Sequence, residues 1–173
     1  MQDAGNGIEE AEMKQVAEHD RRIVVGVDGS PESRTALRWA ITQAELTDAR
    51  VEAVSAWQDL AMYGFAYGWS PAVFEDVSIA AVSEKILAEA VADEAAGGAS
   101  VQILTRVLHG HPAQVLLDAA DGAQLLVVGS RGHGAFAGML LGSVSQHCVQ
   151  HASCPVVVVP PAERTPGQAG KRS

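Results

Sequence analysis

Apolar and polar positions along the chain fall into two alternating kinds of segment. Ile23-Val24-Val25-Gly26-Val27 is a near-continuous apolar run, the pattern of a strand buried on both faces. It stops at Asp28-Gly29-Ser30-Pro31, where Ser30 suits a helix N-cap and Pro31 the first helical position. Ala36, Leu37, Ala40, Ile41 and Ala44 then recur at helical spacing. A second strand is expected over Val51–Trp57, and a second helix presents Ile79, Val82, Ile86, Leu87 and Ala90 before ending at Gly97-Gly98. Val101–Leu108 reads as a third strand. Pro112 opens a third helix with Ala113, Leu116, Leu117 and Ala120, which stops near Gly122. Gln124–Val128 reads as a fourth strand, followed by a glycine-rich segment over 129–142, a helix over Ser143–His151 and a last strand over Pro155–Val159. Strand and helix alternate throughout, which predicts an α/β fold with a parallel sheet, helices on both faces and right-handed crossovers.

Length and charge narrow the setting. The 173 residues suit one domain, taken here as residues 21–160, and 47% of them are apolar, which is ordinary for a globular fold. No apolar run reaches the roughly 18–20 residues of a membrane-spanning helix, so no membrane association is expected. Residues 1–20 carry six acids and one lysine and lack a basic or apolar leader segment, so they read as an acidic tail and not a secretory signal. Residues 161–173 read as a disordered basic tail. The net charge of −9 offers no footprint for a phosphate backbone, so nucleic acid is not an expected partner. Two cysteines without CxxC spacing do not make a disulfide framework, and the cytoplasm is the expected compartment.

In sheets of this type ligands sit beyond the carboxyl ends of the strands, where the strand order reverses. Asp28-Gly29-Ser30, His109-Gly110-His111 and the segment from Gly129 all fall at such ends. The last is the most informative: Gly129-Ser130-Arg131-Gly132-His133-Gly134-Ala135 leads through Phe136–Leu141 to Gly142-Ser143-Val144-Ser145. Glycines there allow a sharp turn and bring N–H groups close to an anion. The helix opened by Gly142-Ser143 offers free N–H groups and a positive dipole end, Ser143 and Ser145 add hydroxyls, and Arg131 adds charge. The plain alternative is a glycine-rich connection with Ser143 as an N-cap. A Walker A loop is absent, because the chain has no Gly-Lys-Ser/Thr. A dinucleotide fingerprint is absent too, since the turn after strand one reads Gly26-Val27-Asp28-Gly29-Ser30-Pro31. The Ser-Gly-Gly-x-Asp-Ser loop of ATP-cleaving adenylating enzymes is likewise missing.

The spacing Gly129-x2-Gly132-x9-Gly142-Ser143 resembles the ATP-binding signature of the universal stress protein family. Ile23–Pro31 is similar to that family's opening strand and turn, and Cys154–Val159 to its closing strand. The resemblance implies a Rossmann-like sheet of five strands in the order 3-2-1-4-5, with ATP and magnesium between the ends of strands one and four. By position, Gly26 and Asp28 would line the ribose and adenine side, and Ala56 would offer main-chain hydrogen bonds to the adenine. Gly129, Ser130, Arg131, Gly132, His133, Gly134 and Ala135 would wrap the phosphates and ribose. Gly142, Ser143 and Val144 would hold the terminal phosphates, with Ser145 beside them. Fast phosphoryl transfer needs a metal, charge on the γ-phosphate and a positioned base or water. The loop offers Arg131 and His133 but no lysine and no carboxylate, so a nucleotide-responsive binding protein is expected before an enzyme. A slow ATPase, or an interaction module that binds no ATP or prefers AMP or cyclic AMP, are the alternatives.

Three other features have less specific readings. His147 and His151 share a helix face with Cys148 and Cys154 nearby, which reads as a core cysteine with surface histidines sooner than as a metal site. His109 and His111 flank Gly110 ahead of Pro112, a turn and helix start. Six of the eight aromatic residues lie within 57–74, with no lysine or arginine among them, and read as a loop covering the core edge or as a lid or partner patch. Val156-Val157-Val158-Val159 would be an apolar edge strand, a surface that has to be covered; pairing with its twin in a homodimer is the expectation, and the family resemblance points the same way.

Overall fold

The computed structural model describes residues 21–58, 78–132 and 140–161. The expected acidic tail, most of the aromatic segment and all of the basic tail except Pro161 lie outside these residues. The elements are β1 (Arg22–Gly26), α1 (Pro31–Thr47), β2 (Arg50–Trp57), α2 (Ile79–Ala95), β3 (Ile103–His109), α3 (Pro112–Ala119), β4 (Leu125–Gly129), α4 (Ser143–His151) and β5 (Val156–Val159). All five strands are parallel and lie in the order β3-β2-β1-β4-β5. The expected α/β fold and strand order are therefore observed. Among the described residues no helix is long and apolar enough to cross a membrane.

The strands are apolar on both faces because each face has its own core. Ile23, Val25, Val51, Ala53 and Val127 pack under α1 and α2, against Ala36, Leu37, Ala40, Ile41, Leu87 and Ala90. The alternate residues Val24, Val54, Leu126 and Val128 pack under α3 and α4, against Val115, Leu116, Ala119 and Cys148. A period-2 strand that feeds two cores reads as one continuous run. The centre is β1, where Ile23, Val24 and Val25 are wholly buried and register with Val51, Glu52 and Ala53 on one side and Leu125, Leu126 and Val127 on the other.

Local chemistry sets the helix starts. Ser30 caps α1, its Oγ accepting the Ser33 N–H at 3.2 Å, and Pro31 follows at the first helical position. Gly29 makes the preceding turn at φ +84°, a conformation that disfavours any side chain. A Cβ there would stand 2.6 Å from Ile86 Cγ2, so the turn is also where α2 packs against the β1–α1 connection. The expected apolar face of α2 needs correcting. Leu87 and Ala90 are buried, but Val82 is 46% exposed and Ile79 and Ile86 only partly covered. The helix lies over β2 and β3 at the sheet's edge, so part of its apolar stripe extends past the strands. The third strand likewise begins at Ile103, not Val101, and as an edge strand leaves Leu104 41% exposed.

Candidate functional site

The order of the sheet places β1 and β4 side by side, so consecutive connections leave their carboxyl ends in opposite directions and open a crevice. A cleft of about 420 Å³ lies there. Its polar wall comes from Gly129, Arg131, Gly132, Gly142, Ser143 and Ser145, with Asp28 and Ser33 from the β1–α1 connection. Its apolar wall comes from Val54, Ala56, Pro112, Leu116, Val128 and Val144, and Gly26 and Val27 form the join. Among the described lining residues Arg131 is the one cation and Asp28 the one carboxylate.

Hydrogen bonds fix both sides of the polar wall. Asp28 Oδ1 accepts the Ser30 N–H at 3.0 Å and the Ser30 hydroxyl at 2.6 Å. The Ser33 hydroxyl donates to the Ser30 carbonyl at 2.9 Å and also stands within reach of the Asp28 N–H. Asp28 is thus tied to the first turn of α1 while its other oxygen faces the opposite wall. A Cβ on Gly132 would lie 2.4 Å from that Oδ2, so the glycine is what lets the two connections close on each other. Gly129 is equally confined, its Cβ position lying 3.0 Å from the Glu32 main chain. At the join, a Cβ on Gly26 would meet Leu116 Cδ1 at 2.9 Å, so the β1 main chain and Leu116 form one continuous surface.

The start of α4 is held by Ser130. Its carbonyl accepts the Gly142 N–H at 2.8 Å and the Ser145 hydroxyl at 3.0 Å, while its own N–H donates to the Val159 carbonyl at 2.7 Å. Ser130 braces the wall and is not part of the lining; its buried hydroxyl has no partner among the described residues. The N-cap of α4 is Gly142, so Ser143 is the first helical residue and not the cap that the sequence allowed. Gly142 contributes no side-chain cap bond, and the first-turn N–H groups of 143–145 stand at the cleft without helical acceptors.

Of the residues expected from sequence, Gly26, Asp28, Ala56, Gly129, Arg131, Gly132, Gly142, Ser143, Val144 and Ser145 converge on this cleft. His133, Gly134 and Ala135 lie outside the described residues. Sequence reasoning missed Val27, Ser33, Val54, Pro112, Leu116 and Val128. Of these, Pro112 and Leu116 carried a usable signal, because a helix opening after a strand's carboxyl end faces the ligand side of such a sheet.

The remaining candidates are placed elsewhere. His109 packs edge-on against Trp57, ring centroids 4.6 Å apart, at the β2–β3 edge. Cys148 is wholly buried, which pushes its thiol up to about 11, and Cys154 is half-buried with its thiol also raised by burial. His147 and His151 are exposed, in keeping with a core cysteine beside surface histidines. Among the described residues no three His, Cys, Asp or Glu side chains converge as they stand on a metal position.

The chain's relatives agree with this architecture. The model of the universal stress protein family matches residues 20–160. A universal stress protein of Mycobacterium tuberculosis is 38% identical over 154 residues, which cover 82% of this chain and 49% of that protein. One from Mycolicibacterium smegmatis is 38% identical over 147 residues, covering 84% and 48%. The chain thus spans about half the length of these curated relatives. Among solved structures, a universal stress protein in complex with cAMP is 30% identical with a TM-score of 0.59, covering 83% of this chain and 98% of that one. The universal stress protein of Archaeoglobus fulgidus in complex with dAMP shares the fold at 23% identity and a TM-score of 0.58, covering 80% and 97%. With a family model matching residues 20–160, the chain belongs to the universal stress protein family.

Proposed function

We propose that the cleft binds an adenine nucleotide, ATP with magnesium first among them, and that the protein acts as a nucleotide-responsive stress-response homodimer. The observation that carries this reading is the division of one cleft into an apolar slot and a wall of hydrogen-bond donors. Val54, Ala56, Pro112 and Leu116 suit the faces of a flat base, with the Ala56 main chain at its edge. Asp28 belongs beside the ribose, since a carboxylate accepts hydroxyl protons there and would repel phosphates. Gly129–Ala135, including His133 and Gly134, would wrap the phosphates, and the first turn of α4 with Gly142, Ser143, Val144 and Ser145 would meet the terminal ones. Magnesium fits as an ion carried in by the phosphates, because the one lining carboxylate already accepts two bonds from Ser30. The ion would neutralise phosphate charge, with hydroxyl oxygen from Ser143 as the chain's own contribution. With no lysine in the described lining, retention of ATP is expected over rapid cleavage.

Denaturing freshly purified protein and identifying the released nucleotide by chromatography and mass tests this directly. Near-stoichiometric ATP is the expected result. ADP in its place would make slow hydrolysis the function, and His133→Ala should then abolish turnover while sparing affinity. A second reading, cyclic AMP or AMP as ligand, is favoured by the 30% identical relative whose structure is a complex with cAMP. Titration of empty protein with ATP, AMP and cyclic AMP decides between them; failure of all three would leave an interaction module.

The proposed dimer rests on β5. Its position at the end of the sheet leaves one edge unpaired among the described residues, and all four of its side chains are valine. The carbonyls of Pro155 and Val159 accept from β4, so Val156 and Val158 turn their N–H and C=O groups to the free edge. Val158→Pro removes an outward donor and leaves the β4 ladder intact. Light scattering should report a monomer for this variant and a dimer for the parent; a fully dimeric Val158→Pro protein would overturn pairing through this edge.

A further inference from the structure

The sheet face under α3 is not covered evenly. Ile23, Val51, Ala53, Ile103 and Val107 belong to the core under α1 and α2, so by alternation Arg22, Arg50, Glu52, Leu104 and Arg106 point to the opposite face. Leu108, next in that series, packs against the core under α3. α3 rests on β1 and β2, and on β3 Leu104 is left 41% exposed and the Arg106 side chain 48%. On these three strands the face carries three guanidiniums, Arg22, Arg50 and Arg106, against one carboxylate, Glu52. Glu52 is buried and accepts from Arg106 Nη1 at 2.6 Å, while Arg22 also reaches the Asp121 main-chain carbonyl. Arg22 pairs with Arg50 in the register, and Arg50 is level with Gln102 on β3 by the pairing of Val51 with Ile103. Arg106 is therefore two strands across and four residues along from Arg22, about 16 Å at strand spacings near 4.8 Å and 3.3 Å per residue. The buried carboxylate offsets one of the three positive charges, so this face is cationic on a chain whose net charge is −9.

We propose that this face is the docking surface for the chain's own acidic stretch, residues 1–20, which lie outside the described residues. Charge, hydropathy and point of attachment select this occupant. The stretch carries Asp3, Glu9, Glu10, Glu12, Glu18 and Asp20 against Lys14, opposite in sign to the face. Its apolar residues Ile8, Met13 and Val16 offer Leu104 a contact that removes both sides from water. It joins the fold at Arg21, whose carbonyl accepts the Arg50 N–H at 2.9 Å, so it meets the sheet at the row of Arg22 and Arg50. About five extended residues span 16 Å, which puts Glu18 within reach of Arg22 and Arg50 and Glu9, Glu10 and Glu12 within reach of Arg106. Exposed ion pairs are individually weak, but a tethered segment is held at an effective concentration on the order of millimolar. Docking of this kind loosens as salt screens the pairs. The inference does not rest on the nucleotide reading.

The test is amide NMR of the isotope-labelled full chain at about 0.05 M and about 0.5 M sodium chloride, alongside timed trypsin cleavage after Lys14. Two variants divide the contact. One combines Glu9→Gln, Glu10→Gln and Glu12→Gln in the stretch. The other combines Leu104→Ser with Arg106→Gln on the face, where the new amide can still bond Glu52. At low salt the amide signals of residues 104–106 should differ between the parent and the stretch variant, and at high salt the parent's should move onto the variant's. Cleavage after Lys14 should run about tenfold or more faster in the face variant, whose cleavage sequence is the parent's, at unchanged circular dichroism. Lys85→Gln, exposed on α2 across the sheet, should alter neither readout. Amides of 104–106 that are the same in the stretch variant and the parent, or equal cleavage in the parent and the face variant, would overturn the docking. Parent signals that move onto the variant's on dilution would overturn the intrachain occupant in favour of the acidic stretch of a second copy.

Discussion

Gly132→Val should lose ATP by at least about 100-fold, a change of roughly 2.7 kcal/mol in binding, while the protein stays folded. The added Cβ would start 2.4 Å from Asp28 Oδ2, well inside contact distance. Asp28 cannot simply swing aside. Its other oxygen holds the Ser30 N–H and hydroxyl, and Ser30 is itself the cap of α1. Relief therefore comes either from breaking that network or from moving the 129–132 loop outward, and both spoil the wall on which ribose and phosphates are proposed to rest. Gly132 belongs to a connection and not to the core, so melting should change little. Gly97→Ala is the matched control, because nothing lies within 4 Å of its Cβ position and neither binding nor melting should move. Calorimetry of the two variants against ATP is the measurement; a Gly132→Val protein that binds as the parent does would remove the loop from the site.

Much of the polar wall was legible in the sequence because its chemistry is local. Gly129, Gly132 and Gly142 are spaced within one connection, and Asp28 follows directly on a strand that could be read from five residues. The apolar wall was not legible for the opposite reason. Leu116 showed only as one apolar position of an amphipathic helix, and its contact with Gly26 is 90 residues away in sequence and made by packing alone. The same limit explains α2. Periodicity identified its apolar stripe correctly, but which part of a stripe is covered depends on where the helix lies over the sheet, and Val82 is beyond it. Ser130 shows a third kind of limit. Its place in the glycine segment suggested ligand contact, whereas its main chain ties β4 to Val159 and to the start of α4.

These ties make the cleft depend on the core beneath it. One wall is anchored by the first turn of α1, which sits on β1, β4 and β5, and the other by the first turn of α4, which packs on β5 and α3. Of the polar side chains in the cleft, Ser33 and Ser145 are buried and Asp28 and Ser143 exposed, and Asp28, Ser33 and Ser145 are held by bonds to main chain. Connections that rest on a buried sheet are the arrangement in which a ligand can meet the loops without altering the sheet.

Leu37→Ala should therefore be the most damaging single truncation in the scaffold, costing about 2–5 kcal/mol of folding free energy. Leu37 is wholly buried at the middle of α1, within the core that joins α1 to β1 and β4. Its neighbours Ala36, Ala40 and Ala44 are small and already in contact with the sheet, so they cannot move in to fill the space. The cavity therefore persists, which puts the cost toward the upper part of that range. Against a total stability of about 5–15 kcal/mol for a domain, this is a large share. At roughly 2–4 °C per kcal/mol for a chain of this size, the melting temperature should fall by about 5–20 °C. Val82→Ala is the contrast. It removes a similar kind of side chain from a position that is 46% exposed, and should cost under about 0.5 kcal/mol. Denaturant titration of both variants gives the comparison. Near-equal stabilities would mean that α1 is not the element on which the β1–β4 crevice is built. The expected ordering would also separate two causes of lost nucleotide: Leu37→Ala protein should still bind ATP at low temperature, where it remains folded, whereas Gly132→Val protein should fail at any temperature.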